Sequence, residues 1–83
     1  MEALKIEEIG SMSGMKTMRI SGFTDEELYG LKKLSHYDAR NRLLDMLDDR
    51  NGKIGTCWQN GYGVYGIWFD NEYAYVNIGN ICD

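Results

Sequence analysis

The side chains that most often carry catalysis are scarce in this chain of 83 residues, which has one histidine, His36, and two cysteines, Cys57 and Cys82. A cysteine nucleophile needs a base within hydrogen-bond reach, and neither cysteine lies near His36 in the sequence. The same three residues lack the close Cys-x-x-Cys or His-x-x-x-His spacing of zinc sites. We therefore expect no catalytic residues, no metal site and no cofactor, and we predict that the protein is not an enzyme.

Helix signals fill the segment from 24 to 52. Thr24 and Glu27 have the spacing of a capping box, in which each side chain binds an amide left open at a helix start. Acidic residues follow Thr24 and lysines occupy the end of the same segment, an order that the helix dipole favours. This predicts a first helix from about Thr24 to Leu34. Ser35 can cap a second helix that runs to about Arg50 and ends at Asn51-Gly52.

Strand signals lie on both sides of the helices. Asn60-Gly61, between two β-prone runs, is a strong hairpin signal. It predicts a C-terminal β-meander whose three strands cover roughly 53–59, 62–69 and 73–78. Upstream, 15–20 alternates loosely like a strand, whereas 1–14 is expected to be either mobile or a short strand.

Together these elements predict one domain, residues 1–83, of the α+β class. Two short helices pack on one face of a three- to four-stranded, mostly antiparallel sheet. With a two-residue loop at Asn60-Gly61, the predicted register directs one set of side chains towards the helices. That predicted core set is Ile54, Thr56, Trp58, Tyr65, Ile67, Phe69, Ala74, Val76 and Ile78.

The opposite face of the meander is rich in aromatic side chains and has glycines, Gly55 and Gly66, in its middle. Its predicted members are Cys57, Gln59, Tyr62, Val64, Trp68, Tyr73, Tyr75 and Asn77. Tyrosine and tryptophan dominate protein-binding hot spots, so we predict an aromatic patch that binds a partner through Tyr62, Trp68, Tyr73 and Tyr75. Monomers rarely expose a large apolar patch. We expect the N-terminal segment, a second copy of the chain or another protein to cover it.

The second helix carries a group of carboxylates, called here the acidic stripe: Asp38, Asp45, Asp48 and Asp49. At 100° per residue they fall opposite an apolar face of Ala39, Leu43, Met46 and Leu47. One interpretation is a solvated helix face. The other is a surface that imitates phosphates and binds the basic groove of a partner protein. A formal charge of −4 makes direct binding to nucleic acid unfavourable.

The leading functional hypothesis is a small acidic protein-binding module. Its most specific form is an inhibitor, of the phage or mobile-element kind that includes anti-CRISPR proteins, which blocks the binding surface of a nucleic-acid-handling protein. This hypothesis rests on an analogy of size and charge.

Two alternatives remain at this point. The first is a structural homodimer joined through the aromatic patch. The second is a winged helix-turn-helix DNA-binding regulator, in which Tyr37, Arg40, Asn41 and Arg42 would contact bases. No apolar run is long enough to span a bilayer and the N-terminus lacks the order of a signal peptide, so we expect a cytoplasmic protein with reduced cysteines and no membrane partner.

Overall fold

A computed structural model of the chain describes residues 2–12, 14–54, 58 and 63–79. Four strands form a single antiparallel sheet in the order β1-β2-β4-β3, and two helices connect β2 to β3. The elements are β1 Lys5–Met12, β2 Met15–Ser21, α1 Asp25–Lys32, α2 His36–Asn51, β3 Val64–Phe69 and β4 Ala74–Gly79. The predicted α+β class, with two helices on one face of an antiparallel sheet, is confirmed.

Both helices begin where their caps predict, and α2 ends at the predicted glycine, whereas α1 ends at Lys32, two residues before the predicted Leu34. The Thr24 hydroxyl accepts a hydrogen bond from the Glu27 amide at 3.1 Å, and the Glu27 carboxylate accepts one from the Thr24 amide at 2.8 Å. The Ser35 hydroxyl accepts from the Asp38 amide at 3.2 Å and so caps α2. At the other end of α2, Gly52 adopts the left-handed conformation with φ of 75°, which glycine tolerates better than other residues.

An ion pair joins the two helices. The Arg50 guanidinium near the end of α2 donates to both oxygens of the Glu27 carboxylate, and one of them, Oε1, also caps α1. The Arg50 side chain is only 8% exposed, which strengthens the pair because water screens it poorly. These hydrogen bonds, with that of Arg50 first, hold the pKa of Glu27 below its ordinary value. One carboxylate thus both caps α1 and fixes its position against α2.

The core lies between the helices and the inner sheet face. Of the predicted core set, Trp58, Ile67, Ala74, Val76 and Ile78 are buried, and Ile54 and Phe69 pack against the same cluster. The helices contribute four leucines and one alanine, and the N-terminal strands and their flanks add two more side chains. These additional core residues are Leu31, Ala39, Leu43, Leu44, Leu47, Leu4 and Ile20.

Two positions of β3 face the opposite way from their prediction. Val64, predicted on the aromatic face, is 8% exposed, whereas Tyr65, predicted in the core, is 63% exposed. A break in the register between Val64 and Gly66 shifts the pairing of β3 with β4 by one residue. Such a bulge reverses the inward and outward alternation on one side of it.

The first strand predicted for the meander is wrong wherever the structure describes it. Lys53, Ile54 and Trp58 are not in a strand, and the Asn60-Gly61 turn and Thr56 lie outside the described residues. The predicted strand would have paired with the free edge of β3. Instead, side chains of α2 bind that edge, because His36 Nε2 lies 3.0 Å from the Ile67 carbonyl and Arg40 Nε donates to the Val64 carbonyl at 3.3 Å. The N-terminal hairpin supplies the remaining strands.

The N-terminal hairpin is held to the helices at its start. The side-chain amide of Asn51 donates to the Leu4 carbonyl at 2.9 Å, and its oxygen accepts from the Leu4 amide at 3.0 Å. Residues 5–12 of the segment predicted as either mobile or a short strand therefore form a full strand, β1. Within the described ranges, neither helix is long and apolar enough to cross a bilayer.

The Glu27–Arg50 pair predicts a pH-dependent contribution to stability. Replacing Glu27 with Gln should lower the free energy of unfolding at pH 7 by about 2 kcal/mol, the cost of losing hydrogen bonds to a charged group. Because the pKa of Glu27 is lowered on folding, this contribution is present above its ordinary value of 4.5 and is lost as the pH falls through the lower folded-state pKa. Urea denaturation of the parent and of Glu27→Gln should converge in acid.

Glu26→Gln is the matched control for this prediction. Glu26 lies in the same first turn of α1 and is exposed, so both variants lose a similar interaction with the helix dipole. An equal loss of stability in the two variants at pH 7 would contradict the role assigned to the ion pair.

Candidate protein-binding surface

The outer sheet face is the side of the sheet turned away from the helices. The register places one residue of each strand side by side across it: Glu7 on β1, Arg19 on β2, Tyr75 on β4 and Trp68 on β3. The four strands thus build a single row that runs from a carboxylate at one edge to an indole at the other.

Three aromatic rings of the predicted patch meet on this face. The rings of Trp68 and Tyr75 are stacked, with centroids 5.5 Å apart and an interplanar angle of 5°. The ring of Tyr73 lies 6.1 Å from that of Tyr75 at a tilt of 59°. Trp68 remains 42% exposed. Contacts of this kind stabilise one another by about 0.5–1.5 kcal/mol each, so the rings are held in place before any partner arrives.

Hydrogen bonds at the β3–β4 turn fix the orientation of Tyr75. Its hydroxyl donates to Asp70 at 2.5 Å, and the other oxygen of Asp70 accepts from the amides of Glu72 and Tyr73 at 2.9 and 2.8 Å. The hydrogen bond from Tyr75 is the main reason that the pKa of Asp70 lies below its ordinary value. The same bond raises the pKa of Tyr75. The turn and the aromatic row are therefore one connected unit.

Arg19 closes the other side of the aromatic cluster. Its guanidinium carbon lies 4.6 Å from the centroid of the Tyr73 ring, a cation–π distance. Its Nη2 donates to Glu7 at 3.2 Å. Among the described residues, its buried Nε has no hydrogen-bond partner. The positive charge of Arg19 is largely balanced by Glu7, and its aliphatic and planar parts extend the apolar surface.

A shallow polar strip lies beside the aromatic row. Thr17 on β2 donates to Asn77 on β4 at 2.8 Å. Glycines stand at both ends of this pair, Gly10 on β1 and Gly66 on β3. The absence of side chains there leaves the strip lower than the rings beside it. The predicted depression at Gly66 is thus part of this face, whereas Gly55 lies outside the described residues.

The N-terminal strands extend the outer sheet face and do not lie across it. β2 pairs with β4 in the plane of the sheet, so the face widens from two strands to four. Of the predicted patch, Trp68, Tyr73 and Tyr75 come together, and Tyr62 lies outside the described residues. Sequence reasoning missed Arg19 and the exposed Tyr65. The glycines at 63 and 66 were the available signal for the bulge that exposes Tyr65.

The acidic stripe lies on the helical layer, apart from the aromatic patch. Asp38, Asp45 and Asp49 are exposed and Asp48 is half-buried. Arg42 is exposed on the same part of α2, because positions 38, 42, 45 and 49 follow one another at helical spacing. The stripe is therefore interrupted by a cation at its middle.

The residues predicted to contact DNA are not all available for it. Tyr37 is 70% exposed, but Arg40 donates to the Val64 carbonyl and, at 2.8 Å, to the side chain of Asn41.

Of the residues considered for catalysis or metal binding, His36 is bound to the Ile67 carbonyl, and both cysteines lie outside the described residues. In the described part of the chain, no three His, Cys, Asp or Glu side chains are grouped to hold a metal ion.

The Asp70–Tyr75 hydrogen bond predicts a measurable titration. In Asp70→Asn the turn can keep its acceptor oxygen while the negative charge is removed, so the pKa of Tyr75 should fall towards its ordinary value of 10.0. The tyrosine ring-carbon NMR signals, followed against pH, measure this change. Glu72→Gln removes a carboxylate from the same turn without touching Tyr75 and serves as the control. An unchanged pKa in Asp70→Asn would show that the bond does not form in solution.

Comparison of the chain with protein-family models, with curated protein sequences and with solved structures finds no match in any of the three. What the protein does is therefore inferred from its own surfaces.

Proposed function

We propose that this chain is a protein-binding module whose contact surface is the outer sheet face, with Trp68, Tyr73 and Tyr75 as its anchors. The observation that carries the proposal is the stacked and hydrogen-bonded aromatic cluster, which is ordered by its own contacts and yet stays partly exposed. Aromatic side chains that are already ordered lose little entropy on binding, and this is typical of hot-spot residues.

The charge of the face favours a protein over a nucleic acid as the partner. Glu7 pairs with Arg19 on the aromatic row, and the chain as a whole has a formal charge of −4. Binding to nucleic acid draws most of its affinity from cations that contact phosphates. A protein surface with apolar pockets and a polar rim fits the aromatic cluster and its Glu7–Arg19 border better.

The more specific hypothesis of an inhibitor of a nucleic-acid-handling protein stays a proposal with less support. Exposure of Asp38, Asp45 and Asp49 is what phosphate mimicry needs. The exposed Arg42 among them weakens the negative potential of such a surface. The outer sheet face could cover a partner's binding surface without imitating phosphates. We therefore retain the inhibitor hypothesis in this form.

The proposal predicts that loss of one indole removes partner binding. Trp68→Ala should keep the fold, because Trp68 lies on the solvent side of the sheet and is 42% exposed. Truncation of a hot-spot aromatic costs 2 kcal/mol or more, so affinity should fall by roughly 30-fold. The parent and the variant are immobilised on separate resins and exposed to extract of the source cells. Quantitative mass spectrometry compares the proteins that each resin captures, and calorimetry then measures the affinity of the captured protein for the parent and for the variant.

Tyr29→Ala is the matched control, since Tyr29 is an exposed aromatic, 64% accessible, on α1 away from the sheet face. Binding that is lost in Trp68→Ala and kept in Tyr29→Ala supports the proposal. A partner captured equally by both variants would place the binding surface elsewhere. Light scattering of the purified protein separates the homodimer alternative, which predicts a concentration-dependent dimer that Trp68→Ala dissociates.

A further inference from the structure

An open groove of about 730 Å³ lies between α1 and α2, in the helical layer and away from the outer sheet face. Its lining includes apolar groups that the core does not fully cover: Leu34 is 41% exposed and Met46 is half-buried. The Glu27–Arg50 ion pair also lines the groove and holds the two helices together there. The groove is thus a fixed concavity with an apolar floor.

Gly30 on the floor of this groove has no explanation within the described fold. It lies inside α1, where glycine is less stable than alanine by about 0.5–1 kcal/mol. A Cβ atom built at Gly30 meets no atom within 4 Å, so none of the described neighbours requires the missing side chain. With no side chain at Gly30, the backbone of α1 is open to close approach by another backbone on the groove side.

The rim of the groove is negatively charged. The residues that line it include four carboxylates and two guanidinium groups, a net charge of −2. Glu27 and Arg50 neutralise each other. In the described part of the chain, the exposed carboxylates of Glu26, Asp45 and Asp49 enter no hydrogen bond or ion pair. The exposed Arg42 on the same rim offsets one of these three charges and leaves the net charge of −2. A ligand with positive charges above an apolar stripe complements this rim and the floor.

We infer that the groove between α1 and α2 binds a basic amphipathic helix of a partner protein. A helix is the element whose apolar stripe fits between two other helices, and close packing of helix backbones is helped by glycine at the crossing point. Its apolar face lies over Gly30 and Leu34, and its lysine and arginine side chains reach Glu26, Asp45 and Asp49. This second surface is independent of the outer sheet face and does not rest on the function proposed for that face.

The test uses the full chain and two synthetic helical peptides of the same length, one built from leucine and lysine and one from leucine and glutamate. Titration of labelled peptide, followed by fluorescence anisotropy, should show binding of the lysine peptide and none of the glutamate peptide. Gly30→Leu fills the groove without changing any charge and should lower the affinity for the lysine peptide by at least tenfold. Gly30→Ala should lower this affinity less, and it should raise the urea midpoint of unfolding because alanine favours the helix.

Control variants separate the groove from general attraction to an acidic protein. The double variant Asp45→Asn with Asp49→Asn should lower the affinity for the lysine peptide several-fold. Asp25 is an exposed acid outside the groove lining, so Asp25→Asn should leave this affinity unchanged. Trp68→Ala should also leave it unchanged, so failure here and failure of the sheet-face proposal are distinguishable. Equal binding by Gly30→Leu and the parent, or absence of any binding by the lysine peptide, would overturn the inference.

Discussion

The pairing of β2 with β4 is the constraint on which the rest of the structure depends. It joins the N-terminal hairpin to the C-terminal one and sets, in one register, which side chains face the helices. Ile20 and Val76 point into the core, and Arg19 and Tyr75 point out. Because paired residues face the same side and successive residues alternate, a slip of β2 by one residue against β4 would bury Arg19 and expose Ile20. The outer sheet face therefore exists because the core selects this register.

The helical layer follows from the same core. The buried leucines of α2 hold its N-terminal turn beside β3. There His36 and Arg40 bind β3 carbonyls on the side of β3 away from β4, the only strand that pairs with β3 among the described residues. An open strand edge invites pairing with other chains. Side chains of α2 thus occupy part of that edge, and the two surfaces that we propose for binding, the outer sheet face and the groove between the helices, lie elsewhere.

Local signals made the helices predictable from the sequence, and non-local ones were decisive for the sheet. The capping residues Thr24, Glu27 and Ser35 act within one turn, so their spacing alone located both helix starts. The choice of β2 as the neighbour of β4 joins residues far apart in the chain, and no local pattern encodes it. The bulge at Tyr65 has a similar origin, since it depends on how β3 meets β4 and α2 together. Trp68, Tyr73 and Tyr75 were predicted correctly as neighbours because their part of the hairpin has no bulge.

We propose that another protein covers the outer sheet face, and site-specific cross-linking tests this proposal most directly. The photoreactive amino acid p-benzoylphenylalanine, placed at position 17 beside the aromatic row, leaves Trp68 intact and reacts on illumination with whatever lies against the outer sheet face. We expect one predominant adduct with a different protein, suppressed by an excess of unlabelled parent but not by an excess of Trp68→Ala. Adducts only with a second copy of the chain, or no adduct at all in extract of the source cells, would contradict it.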